Sequence, residues 1–180
     1  HTTAHSLRTT KAKCGDPQAW YTLGRMYSKG QGVKIDYKKA AQWWHRAAEE
    51  DYPDAFNSLG YVYRWGLGVD QDLAKALKWY GRAAALGDTK AMFTLALLYE
   101  KGQGMDRDYK KAYAWYEQAA RLGHPESLIK LGYFHYRGWS VKRSILKAYM
   151  FNHLAAKKGH KEGIVNEAAF REELNKNQLD

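Results

Sequence analysis

Apolar residues recur along most of the chain at helical spacing. Between residues 17 and 28 the stripe Ala19, Leu23, Met26 and Tyr27 falls at i, i+4, i+7 and i+8, one face of an α-helix. A second stripe, Ala40, Trp44, Ala47 and Ala48, follows a glycine-containing break; its alanines allow close helix approach and its aromatic ring fills the space between. The two stripes predict a helix A and a helix B. Asp16 can accept from the free N–H groups that open helix A, with Pro17 suited to its first position, and Asp36 can do the same for helix B. Gly30-Gln31-Gly32 permits positive φ, so it ends helix A and reverses the chain.

The same pattern returns every 36 residues without a gap. Leu23-Gly24 becomes Leu59-Gly60, Leu95-Ala96 and Leu131-Gly132, and Tyr27 becomes Tyr63, Tyr99 and His135. The loop Gly30-Gln31-Gly32-Val33 recurs at Gly66 and Gly102 and degrades to Gly138-Trp139-Ser140-Val141. Asp36, Asp72, Asp108 and Ser144 cap helix B, whose Trp43, Trp79, Trp115 and Phe151 are assigned to packing. Helix A begins again at Tyr52-Pro53, Asp88-Thr89 and His124-Pro125, with Tyr52 and His124 the poorer caps. Gly87, Gly123 and Gly159 terminate helix B, and Asp51 takes that place in the first unit. One hairpin cannot cover its own apolar face, so the units must stack. The expectation is an all-α solenoid of four helix-loop-helix repeats at residues 16–51, 52–87, 88–123 and 124–159. A capping helix, or the remnant of a preceding repeat, is expected at 1–15 and a C-terminal capping helix at 160–180, where Glu167 and Arg171 replace the core leucine and tyrosine and suit a polar outer face.

The pattern A-x3-L-G-x2-Y-x2-G-x-G-V-x2-D-x2-K-A-x2-W-Y-x2-A-A-x2-G resembles the Sel-one-like repeat (SLR), a relative of the tetratricopeptide repeat. The glycine loop separates it from tetratricopeptide and pentatricopeptide repeats, while His135, Ser140 and Asn152 depart from it in the fourth unit. The resemblance implies a right-handed α-α superhelix that serves as an adaptor or binding scaffold and not as an enzyme. The Trp-Tyr and Ala-Ala-x-x-Gly spellings resemble bacterial members, many of them exported, so a periplasmic or secreted location is expected, with the cytoplasm the alternative. Bacterial members include immunity proteins that neutralise secreted phospholipase toxins, a role that a small basic solenoid would suit. The first residue, His1, fits a processed terminus, a tag remnant and a truncation equally.

Composition narrows the chemistry. With 180 residues, 45% of them hydrophobic, the chain can form one compact domain or one short repeat array, and two domains are not expected. The longest mainly apolar stretch, Ala91 to Tyr99, is far below the roughly 20 residues of a membrane-spanning helix, so no membrane insertion is expected. Cys14 is alone and can form neither an internal disulfide nor a cysteine-based zinc site. The Gly-x-Gly loops lack a following Lys-Ser/Thr and a preceding strand, so they are turns and not phosphate cradles. His153 and His160 straddle Gly159 with no acid between them; no metal, cofactor or catalytic motif is expected.

The net charge of +10 invites a polyanion reading, because no Asp or Glu lies between Leu128 and Lys161. Lys130, Arg137, Lys142, Arg143 and Lys147 form the candidate basic patch, and polyanion or nucleic-acid binding through this end is the alternative function. Nucleic acid is not the favoured partner, since Phe151 is at a packing position and Lys39, Lys75, Lys111 and Lys147 recur outside the core stripe.

A second face of helix A carries more information. In tetratricopeptide-like solenoids this face lines the concave groove, and here its residues differ from repeat to repeat. Tyr21, Arg25, Asn57, Tyr61, Arg64, Phe93, Leu97, Tyr133 and Tyr136 are the candidate partner-binding residues, with Ile129 on the same face. Large apolar side chains where a solvated face would carry Lys or Glu point to a protein-binding surface, the alternative being that some of them pack against a neighbouring helix A.

Overall fold

The computed structural model describes residues 15–176, so the expected N-terminal cap at 1–15 lies outside the described residues apart from Gly15. Among these residues there are nine helices and no strand. Helix A of each repeat is α1 (Pro17–Lys29), α3 (Pro53–Trp65), α5 (Thr89–Lys101) and α7 (Pro125–Arg137). Helix B is α2 (Tyr37–Glu49), α4 (Leu73–Ala85), α6 (Tyr109–Arg121) and α8 (Ile145–Lys157), and α9 (Lys161–Lys176) follows.

Helix B of every repeat starts at a capping side chain. Asp36, Asp72, Asp108 and Ser144 accept from the backbone N–H of Lys39, Lys75, Lys111 and Lys147 at 2.9, 2.9, 3.0 and 3.2 Å. The N–H of each capping residue donates back to the carbonyl of Tyr27, Tyr63, Tyr99 or His135 at 2.9 Å, so one residue both closes the loop and opens helix B. Tyr52 and His124 make no side-chain cap. In the first three repeats the lysine of this element lies over the tyrosine ring, at 5.4, 5.3 and 5.4 Å, and pairs with the capping aspartate. His135 and Ser144 stand at those two places in the fourth.

The A and B helices of a repeat approach where helix A has almost no side chain. A Cβ on Gly24, Gly60 or Gly132 would fall 2.4, 2.8 or 2.3 Å from Trp44, Tyr80 or Asn152. The recurring Trp43, Trp79, Trp115 and Phe151 do pack, Trp43, Trp115 and Phe151 against core clusters and Trp79 on Phe56. The buried filler is the next residue, Trp44, Tyr80, Tyr116 or Asn152, while the recurring aromatic is half-buried beside it. The loops are equally tight: a Cβ on Gly68 would sit 2.2 Å from the backbone nitrogen of Lys38. Ser140 holds the corresponding place with φ 56° and donates its hydroxyl to the Tyr109 carbonyl at 3.2 Å.

One array is expected from length, and the chain divides into two compact units between Leu86 and Gly87. In the first, α1 to α4 pack each on its sequence neighbour; in the second, α5 to α9 do the same. The polar outer face expected for the C-terminal helix needs correction at Glu167. Its side chain is 14% exposed and accepts from His153 Nδ1 at 3.1 Å and from Arg171, so the charge is spent holding α9 to α8. Gly163 lets α9 lie against Ala155 and Ala156, where a Cβ would meet both at 2.8 Å.

Candidate protein-binding groove

The helix A faces of the second unit enclose a groove of about 640 Å³. Phe93 and Glu100 come from α5, Tyr133 and Tyr136 from α7, Trp139 from the following loop, and Asn166 and Phe170 from α9. Trp139 stacks on Tyr109 at 4.6 Å and meets Tyr133 edge-on at 5.2 Å, which props the tyrosine up at 40% exposure. Tyr136 packs on Phe170 at 5.3 Å, and Phe93 lies against Tyr116 and His124 at 5.5 and 4.9 Å. Arg137 lies over Tyr133 and Trp139, and Arg143 over Tyr136.

A charged triad underlies these rings. Lys130 Nζ reaches both carboxylate oxygens of Glu100 at 3.0 and 3.2 Å, and the Tyr116 hydroxyl donates to the same carboxylate. Burial, reinforced by Glu100, pushes the Tyr116 phenol far above its ordinary range, which keeps it a donor. Lys130 therefore belongs to the groove and not to a solvated basic patch. Arg137, Lys142, Arg143 and Lys147 are exposed, but α9 answers the acid-free run: Arg143 Nη2 lies 3.9 Å from Glu173, and His153 meets Glu167.

Two of the face residues are largely covered, Ile129 while still lining the groove and Leu97 against the core. Ile129 is 7% exposed and clusters with Leu128 and Ala155 next to Phe151, and Leu97 packs on the core of Ala96, Ala112, Tyr116, Leu131 and Phe134. In the first unit, Tyr21 lies 5.3 Å from Tyr52 with Arg25 at 5.9 Å, Asn57 is half-buried, and Tyr61 stands 50% exposed. Arg64 lies over Trp65 at 4.9 Å and beside the Tyr80 phenol, which burial pushes up to about 12 against the pull of Arg64. Sequence reasoning missed Trp139, Phe170 and Asn166 as lining residues. Trp139 had a signal, since the matching loop positions hold Gln31, Leu67 and Gln103. Phe170 had none, because its register matches Phe134, which is fully buried. Among the described residues no cluster of three or more His, Cys, Asp or Glu could hold a metal ion, and no helix is long and apolar enough to cross a membrane.

The family model described as Sel1 repeat matches residues 17–52, 53–88, 89–124 and 125–160. The chain belongs to the Sel1 repeat family. Its fold is the all-α solenoid of that family. A Sel1 repeat protein from Oxalobacter formigenes is 32% identical with a TM-score of 0.80, over 86% of this chain and 62% of that one. A protective antigen of uropathogenic Escherichia coli displaying an SLR fold is 34% identical with a TM-score of 0.90, over 92% of this chain and 36% of that one. This Sel1 repeat chain thus spans less than two thirds of either protein's length. An immunity protein from Pseudomonas aeruginosa shares the fold at 20% identity and a TM-score of 0.54, over 88% of this chain and 58% of that one. No curated protein matches the sequence. Sel1 repeats typically form a non-catalytic scaffold for protein–protein interaction.

Proposed function

We propose that this chain is an adaptor that holds a partner protein in the groove of α5, α7 and α9. The carrying observation is that Phe93, Tyr133 and Tyr136, at positions that vary from repeat to repeat, line one cavity with Trp139 and Phe170 and leave the Tyr133 ring open to solvent. A site of this kind binds by shape and apolar contact, with the Glu100 and Lys130 pair holding the register of α5 against α7. A secreted toxin is one class of partner: immunity proteins of Pseudomonas aeruginosa share the fold, at 20 and 21% identity, which supports the fold alone. A location outside the cytoplasm goes with that reading and rests on the motif spelling.

The test is affinity capture with the wild-type chain and a Tyr133→Ala/Tyr136→Ala variant of matched helicity. Proteins retained by the first and lost from the second are expected. Identical capture by both would count against the groove.

A further inference from the structure

The groove has two chemically different ends. Glu126 and Glu162 occupy the second positions of α7 and α9 and line it at the N-terminal end of those helices. Tyr136 and Phe170, in ring contact toward the other end, show that α7 and α9 run the same way. His124, whose Nε2 lies 3.5 Å from Glu126, is held below the ordinary imidazole range by burial, so it brings no positive charge to that carboxylate at pH 7. The Lys130 ammonium is engaged by Glu100, so it does not offset these carboxylates. Among the lining residues three carboxylates stand against one ammonium, an acidic mouth beside an aromatic wall, with Lys90 near His124 at its edge.

The spacing follows from helix geometry. Ten residues separate Glu126 from Tyr136, about 15 Å at 1.5 Å per residue. An extended chain covers that distance in about four or five residues at about 3.3 Å each. We infer, building on the adaptor reading, that the groove takes an extended segment of a partner protein with a Lys or Arg at the Glu126 and Glu162 end and an aromatic residue four or five positions away, against Tyr136 and Phe170. The cation pairs with the two carboxylates and the ring completes the aromatic cluster. Both glutamates also complement the helix dipoles, and that role alone would give no sequence preference in an occupant.

The probe is a random heptapeptide library displayed on phage and panned on the immobilised chain. Enriched peptides are then titrated by fluorescence polarisation against wild type, Glu126→Lys/Glu162→Lys and Tyr133→Ala/Tyr136→Ala. Peptides pairing a basic and an aromatic residue at that spacing are expected, with affinity falling about tenfold or more on charge reversal and on loss of the tyrosines. No enrichment, enrichment without the basic residue, or unchanged affinity after charge reversal would overturn the inference. Binding lost with the tyrosines but kept on charge reversal would leave the adaptor reading standing; binding indifferent to both variants would remove both.

Discussion

In α3 and α4, Gly60 leaves room for the Tyr80 ring, which is 3% exposed and has Arg64 beside its hydroxyl. In α7 and α8, Gly132 leaves room for Asn152, 1% exposed, which donates to the Ala148 carbonyl at 2.8 Å and accepts from Asn166 of α9 at 3.0 Å. The backbone frame is common to both, and the filler is an aromatic ring in one and an amide in the other. The second repeat is filled chiefly by the volume of a ring, whereas the fourth is held by a hydrogen-bond chain that extends into the terminal helix. A similar exchange appears at the loops, where the ring and ion pair around Lys75 give way to a buried His135 bonded to the Tyr113 hydroxyl at 3.1 Å. Sequence identity between repeats is therefore a poor guide to how each one is stabilised.

Truncating the two fillers should separate them most. Tyr80→Ala empties a fully packed site and is expected to cost about 3–5 kcal/mol, read as a lower urea midpoint. Asn152→Ala removes little volume but leaves Asn166 without its acceptor, and about 1–3 kcal/mol is expected. Equal losses would erase the distinction between a volume-filled and a hydrogen-bonded repeat. At the caps, Ser144→Ala should cost about 1 kcal/mol. Asp72→Ala should lower the midpoint further, because Asp72 also pairs with Lys75 at 3.4 Å; a smaller shift would show that the ion pair adds nothing.

The smallest effect concerns acid. Burial holds His135 below the ordinary imidazole range, so the unfolded chain binds its proton first as pH falls. Its neutral form contributes stability that is complete above about pH 6.5 and is lost as pH drops from there through the folded value. His45 and His124 are shifted the same way, so His135→Gln should flatten part of the decline between pH 7 and pH 5 and leave the rest. An unchanged slope in urea midpoints would place the acid sensitivity elsewhere.

Helix starts, loop reversals and the cap-to-lysine bonds were legible because a 36-residue period repeats them with the same residue types. The filler was legible as Trp44 in the first repeat but not as a repeating position, since Trp44, Tyr80, Tyr116 and Asn152 share no chemistry while the residue before them is Trp three times and Phe once. Tyr133, Tyr136 and Phe93 could be chosen by their failure to repeat. The far wall could not, because α9 abandons the motif and its Phe170 sits where the period expects core. Ile129 was chosen on the same ground as Tyr133 and does line the groove, although Leu128 and Ala155 leave little of it exposed.

The triad of Glu100, Lys130 and Tyr116 limits how such a protein can evolve. Arg64 stands 36 residues before Glu100, so copying the second repeat over the third would bring an arginine to face Lys130 and deprive the Tyr116 hydroxyl of its acceptor. The modules look interchangeable by spelling, but the joint between the third and fourth carries its own address. Duplication or exchange of units at that joint would have to move both sides together, as a lock is changed with its key.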